Sequence, residues 1–156
     1  MRLDKMLANM GLGTRKEVKM ILKKNRVTVN DEIVTDGSMH IDPNKDMVEV
    51  DGRLIQYKKY IYLMLHKPKG VISATEDKVS KTVIDLLDAE DQHFKPFPVG
   101  RLDKDTEGLL ILTNDGELAH RLLSPKKNVE KTYYAKVSGR VNEEDIEKFR
   151  AGVEID

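Results

Sequence analysis

Residues 100 to 116 read Gly100-Arg101-Leu102-Asp103-Lys104-Asp105-Thr106-Glu107-Gly108-Leu109-Leu110-Ile111-Leu112-Thr113-Asn114-Asp115-Gly116. From Leu109 to Leu112 no side chain is polar, the pattern of a strand buried on both faces. Immediately before it, five of the ten residues from Gly100 to Leu109 are charged. A buried framework that presents a dense charged loop is how active sites are commonly built. The pattern leaves several uses open. The segment is also what a solvated turn looks like when Asp and Thr side chains bond their own backbone. A carboxylate pair such as Asp103 and Glu107 suits a glycosidase. A single carboxylate, Asp103, kept ionised by Arg101, suits a nucleophile or base acting on a ribonucleoside.

Outward from this segment, strands and short helices alternate. Asn114-Asp115-Gly116 turns the chain into a helix over 117–123, which Ser124-Pro125 ends, and 131–137 reads as a further strand. Asn142 is placed to cap a last helix whose first turn holds Glu143, Glu144 and Asp145, complementing the dipole. On the other side, strands are expected at 60–65 and 71–73 around the turn His66-Lys67-Pro68-Lys69-Gly70. A short helix over 82–87 has the apolar face Val83, Leu86 and Leu87, and Phe97-Pro98-Val99 leads into the charged loop.

The first 55 residues form a separate pattern. Leu3, Met6, Leu7 and Met10 make one apolar stripe, ended by Gly11-Leu12-Gly13. Thr14-Arg15-Lys16-Glu17 is a capping box that opens a second helix with Val18, Ile21 and Leu22 inward. Hairpins follow around Asn30-Asp31-Glu32 and Asp51-Gly52. The polar stretch 56–59 is the boundary, giving units 1–58 and 59–156. The fold class is α+β: a small helix-helix-hairpin unit, then a mixed, largely antiparallel sheet with flanking helices.

The chain of 156 residues carries 27 Lys and Arg against 27 Asp and Glu, a net charge of zero that conceals a strong asymmetry. Residues 1–30 hold eight basic and two acidic side chains, a net of +6; 31–59 and 60–156 each come to −3. Five of the eight, Arg15, Lys16, Lys19, Lys23 and Lys24, belong to the second helix and its end, with Arg2 and Arg26 on either side. Lys126 and Lys127 extend the basic track further along the chain. Such a stripe gives phosphate contacts and a faster encounter with a nucleic acid. A glycosidase has no evident need for it, which favours the ribonucleoside reading. With no Cys and four scattered His, neither a disulfide framework nor a metal site is expected. No apolar run reaches the roughly 20 residues of a membrane span and no signal peptide is visible, so a cytoplasmic protein is expected. Aromatic residues make up 5% and Trp is absent, which disfavours a broad stacking platform for single strands.

The run from Gly100 to Gly116 resembles the signature of the pseudouridine synthases that modify ribosomal RNA. Two further segments agree in order: His66-Lys67-Pro68-Lys69-Gly70 is similar to the family's lysine-proline-x-glycine motif, and Glu130-Lys131-Thr132-Tyr133 to its lysine-x-tyrosine motif. The N-terminal unit resembles the small RNA-binding domain named after ribosomal protein S4. Its start, Met1-Arg2-Leu3-Asp4-Lys5, its hairpin Asn25 to Asn30, and Glu130 to Tyr133 look most like the small-subunit (16S) enzymes of the RsuA type, whose 23S relatives share the layout. The resemblance implies isomerisation of uridine without metal or cofactor. Asp103 would be the catalytic carboxylate, Arg101 would hold it ionised and help fill the place of the flipped nucleotide, and Tyr133 would stack on the detached uracil. Lys67 and Lys69 would contact RNA. The implied partner is ribosomal RNA or a ribosome assembly intermediate, met by a monomer. A non-catalytic assembly factor is the competing reading. The family's pattern continues with a further basic motif not found before Val153-Glu154-Ile155-Asp156, so the second unit is expected to be incomplete at its C-terminus and weak or inactive by itself, with residues such as Leu109 to Leu112 partly exposed.

Overall fold

The structure is a computed structural model and describes residues 1–154. Helix α1 (Leu3–Asn9) buries Leu3, Met6 and Leu7, and α2 (Arg15–Lys23) buries Val18 and Leu22. The capping box at the start of α2 is formed: the Glu17 amide donates to the Thr14 hydroxyl at 3.3 Å and the Thr14 amide donates to Glu17 Oε2 at 2.7 Å. Strands β1 (Val27–Val29) and β2 (Glu32–Ile33) are joined by Asn30 and Asp31, with φ of 52° and 68°. Strands β3 (Val48–Val50) and β4 (Arg53–Leu54) are joined by Asp51 and Gly52, with φ of 51° and 74°. Paired positive φ values give the turn whose twist matches that of the flanking strands. The two hairpins are not separate. β1 pairs with β3, Val27 opposite Val50 and Val29 opposite Val48, making one antiparallel sheet in the order β2-β1-β3-β4. These valines and the helix residues form one core with Ile41, whose amide donates to the Met1 carbonyl.

A second core lies on one face of the antiparallel sheet β5 (Tyr62–Lys67), β7 (Gly108–Thr113), β6 (Phe97–Val99), in that spatial order. Leu110 and Leu112 of the central strand pack with Leu63, Leu65, Val71 and Val83. The apolar run of β7 fits burial on both faces, but only one face is covered, and Leu109 is exposed as expected for this chain while Leu110 and Leu112 are buried. Leu109 is 65% exposed and its neighbour on the outer face, Met64, 83%, because a single layer, the chain from Val71 to Leu87, covers the sheet. Helix α4 (Gly116–Leu123) is capped by Asp115, whose Oδ1 accepts the amides of Glu117 and Leu118. The Leu118 amide and then the Tyr62 hydroxyl, which donates to Oδ2, hold the Asp115 carboxyl below its ordinary range. Helix α5 (Glu143–Ala151) begins at Asn142 with a second capping box.

Three local expectations are also revised. The strand expected at 71–73 is one parallel bridge, Ile72 with Thr82; Ile72 bonds to Lys81 and Val83, and no second residue continues the ladder. The helix expected at 82–87 is a 3₁₀ turn, Ile84–Leu86, because Leu87 is already extended and α3 (Ala89–His93) starts directly after it; the Asp85 carboxylate accepts the Thr82 amide and hydroxyl at the start of the turn. Residues 131–137 form no strand. They pair with no strand among the described residues. Of the second unit's expected range, Ile155 and Asp156 lie outside the described residues.

Strand β5 continues two residues beyond its expected end, and this corrects the reading of Lys67. Its side chain is fully buried, with Nζ donating to the carbonyls of Val71 at 2.7 Å, Pro68 at 3.0 Å and Lys104 at 3.3 Å. An ammonium has three donors and all three are used here. Lys67 is therefore an internal clamp and not a contact for RNA. Replacing Lys67 by Met is expected to destabilise the fold by about 2–3 kcal/mol, since three carbonyls lose a charged donor. Chemical denaturation measures this, and wild-type stability would remove the clamp. Thr14→Ala should cost about 1 kcal/mol through loss of the α2 cap, measured the same way.

Candidate active site

The loop that carries Asp103 is bracketed by two glycines in the left-handed region, Gly100 at φ +94° and Gly108 at φ +144°. Other residues adopt these angles only with strain. A side-chain carbon on Gly100 would also stand 3.3 Å from Leu123 Cδ2, so the end of α4 fixes where the loop begins. Inside the loop the Thr106 amide donates to the Asp103 carbonyl at 3.0 Å, closing a turn.

A second loop, 68–73, ties down the residues on either side of Asp103. After it, the Lys104 carbonyl accepts the Gly70 amide at 2.8 Å together with Lys67 Nζ. Before it, the Ser73 hydroxyl donates to the Leu102 carbonyl at 2.9 Å and accepts the Leu102 amide at 3.0 Å. Between the loops opens a cleft of about 410 Å³ lined by Ile72, Ser73, Ala74, Arg101, Leu102, Asp103 and Lys104. That is a normal size for a small-molecule or nucleotide-sized site. Asp103 is its one carboxylate. Glu107 does not line it, which removes the second acid a glycosidase requires.

Two residues expected beside Asp103 are arranged differently. Arg101 lines the cleft, but among the described residues no ion pair joins it to Asp103; both side chains are exposed, where pairing gains little over hydration. Tyr133 does not line the cleft. It is 67% exposed, in a stretch without regular structure. Conversely, Ser73 carries no signal in the sequence, because its partner lies 29 residues away and only the folded chain brings the two together.

The basic residues divide into paired and unpaired sets. Arg15, Lys16, Lys19, Lys23 and Lys24 are exposed and make no ion pair among the described residues. Glu17, the only acid on α2, is held below its ordinary range by the Thr14 amide and hydroxyl, so its carboxylate faces the helix end instead of the lysines. Two expected RNA contacts are committed elsewhere. Arg26 forks onto Asp51, with Nε at 2.8 Å from Oδ1, and Arg2 forks onto the buried Asp4, with Nη2 at 2.8 Å from Oδ2. The Arg2 bond holds the Asp4 carboxyl below its usual range against the opposing effect of burial. Lys69, Lys126 and Lys127 are exposed, the last two on the 3₁₀ turn Pro125–Lys127. Among the described residues no cluster of His, Asp or Glu is placed to hold a metal, and no helix is long and apolar enough to cross a membrane.

The chain was compared with known proteins. The family model "RNA pseudouridylate synthase" matches residues 61–155, and the model "S4 domain" matches residues 1–46. The RNA pseudouridine synthase YtzG of Bacillus subtilis is 53% identical over the whole chain and 65% of its own length. Ribosomal large subunit pseudouridine synthase B of Bacillus subtilis is 39% identical over 99% of this chain and 63% of its own. An RNA pseudouridine synthase of Aquifex aeolicus is 42% identical over 96% of this chain and 63% of its own. This chain spans less than two thirds of each of these relatives. A charged loop with one carboxylate in a cleft, a basic helix ahead of it and these matches agree: the chain belongs to the RNA pseudouridylate synthase family and carries an S4 domain at its N-terminal end.

Proposed function

We propose that the protein isomerises uridine to pseudouridine in ribosomal RNA, with Asp103 as the catalytic carboxylate. The observation that carries this is the position of Asp103, the one carboxylate of the cleft, with the residues on both sides of it tied to the neighbouring loop. The reaction breaks the bond from ribose to the ring nitrogen, turns the uracil and rejoins it through a ring carbon. Product and substrate hold the same atoms, so the conversion has no net redox change and consumes no co-substrate. Asp103 serves as nucleophile or base, and an exposed carboxylate at a cleft mouth is accessible to a nucleotide flipped out of its stack. Arg101, at the same cleft, is placed to contact RNA phosphate or fill the space the flipped base leaves. Tyr133 is assigned to stacking on the uracil by its lysine-x-tyrosine motif, a role that needs the 128–141 stretch to close over the cleft.

In this reading residues 1–58 bind RNA and 59–156 belong to the catalytic unit, divided at the polar stretch 56–59. The unpaired residues of α2 with Lys24 supply the phosphate contacts, and Lys69, Lys126 and Lys127 continue the track. A monomer acting in the cytoplasm on ribosomal RNA or an assembly intermediate completes the proposal. The small-subunit assignment rests on the N-terminal sequence and the Glu130 to Tyr133 segment. A second assignment, large-subunit RNA, is favoured by the 39% identity to the large-subunit synthase. Mapping pseudouridine in 16S and 23S RNA after incubation with the full-length protein separates the two, and no new pseudouridine in either means an assembly factor.

Asp103→Asn in the full-length protein should abolish product while RNA binding stays within about twofold; retained turnover refutes the catalytic assignment. Replacing Lys16, Lys19 and Lys23 together by Ala should lower the slope of log affinity against log salt by about 2–3, about one for each lost phosphate contact. An unchanged slope would mean that these lysines only meet solvent.

A further inference from the structure

We infer that Ser73 is a positioning residue for uridine isomerisation, acting on Asp103 through the Leu102 peptide; this rests on the function proposed above. The Ser73 hydroxyl holds both polar groups of one residue, donating to the Leu102 carbonyl at 2.9 Å and accepting the Leu102 amide at 3.0 Å. A two-sided bond of this kind fixes the rotation of the backbone immediately before Asp103, where a single bond would leave it free to swing. Ser73 and Leu102 are both half-buried and both line the cleft, so the bond sits at the site itself. The Lys104 side of the carboxylate is already held by the Gly70 amide and Lys67. Ser73 thus supplies the second of two anchors, and Asp103 keeps one direction of approach to the nucleotide. A misplacement of about 1 Å at a reacting group costs on the order of 100-fold in rate.

The test uses the full-length protein with Ser73→Ala, Ser73→Thr and Asp103→Asn in parallel. Ser73→Ala should lower kcat about 10–100-fold with KM for RNA unchanged, because RNA is gripped by α2 and not by this peptide. Ser73→Thr, which keeps the hydroxyl, should restore most of that loss. Without RNA, exchange of the Leu102 amide should speed up in Ser73→Ala while the thermal midpoint stays near wild type. Wild-type kcat in Ser73→Ala, a loss seen in KM alone, or Ser73→Thr no better than Ser73→Ala overturns the inference. If Asp103→Asn retains turnover, the catalytic reading itself fails; a dead Asp103→Asn beside a fully active Ser73→Ala refutes only the role of Ser73.

Discussion

A lysine side chain that cannot reach water constrains this part of the molecule more than any other group. An ammonium removed from solvent must find a replacement for each hydrogen bond it gave up, and Lys67 finds three carbonyls. Two belong to the turn that follows β5 and the third to Lys104, next to Asp103. These carbonyls can converge only if the turn folds back over the strand end and the charged loop comes down to meet it. The cleft is the space left between them. A site built on one buried cation joins the end of β5 to the chemistry directly, so that the sheet and the loop hold or fail together.

How much of this is legible in the amino-acid sequence follows the distance over which each interaction acts. The Thr14 and Asn142 caps and the Asn30-Asp31 and Asp51-Gly52 turns depend on residues within three positions of one another, and each can be read directly. The pairing of β1 with β3 joins segments about 20 residues apart and leaves no local trace. Hydrophobic character alone does not say how many layers cover a strand, which is why the apolar run of β7 suggests two covered faces where one exists. The motifs around Lys67 and Asp103 can be found by resemblance, but burial separates a lysine that touches RNA from one that holds a loop. Tyr133 is the reverse case: its motif is clear, while the folded chain leaves it exposed and outside the cleft lining.

Ion pairing sorts the basic residues in a way that counting cannot. Arg2 and Arg26 contribute to the +6 of the first thirty residues, yet each is bound in a fork to an aspartate. Of the six that remain, five lie on α2 or at its end and Lys5 lies on α1. The planar guanidinium is suited to the forked pairs that Arg2 and Arg26 make, while Lys16, Lys19, Lys23 and Lys24 keep compact heads exposed to solvent.

The capping box of α2 has a consequence for the whole particle. By binding the Thr14 amide and hydroxyl, Glu17, the one acid of α2, is tied to the start of the helix, so a chain of zero net charge keeps a cationic stripe on α2. In the field of a polyanion such a stripe favours approach with α2 foremost, and added salt weakens that preference over about 10 Å at 0.1 M.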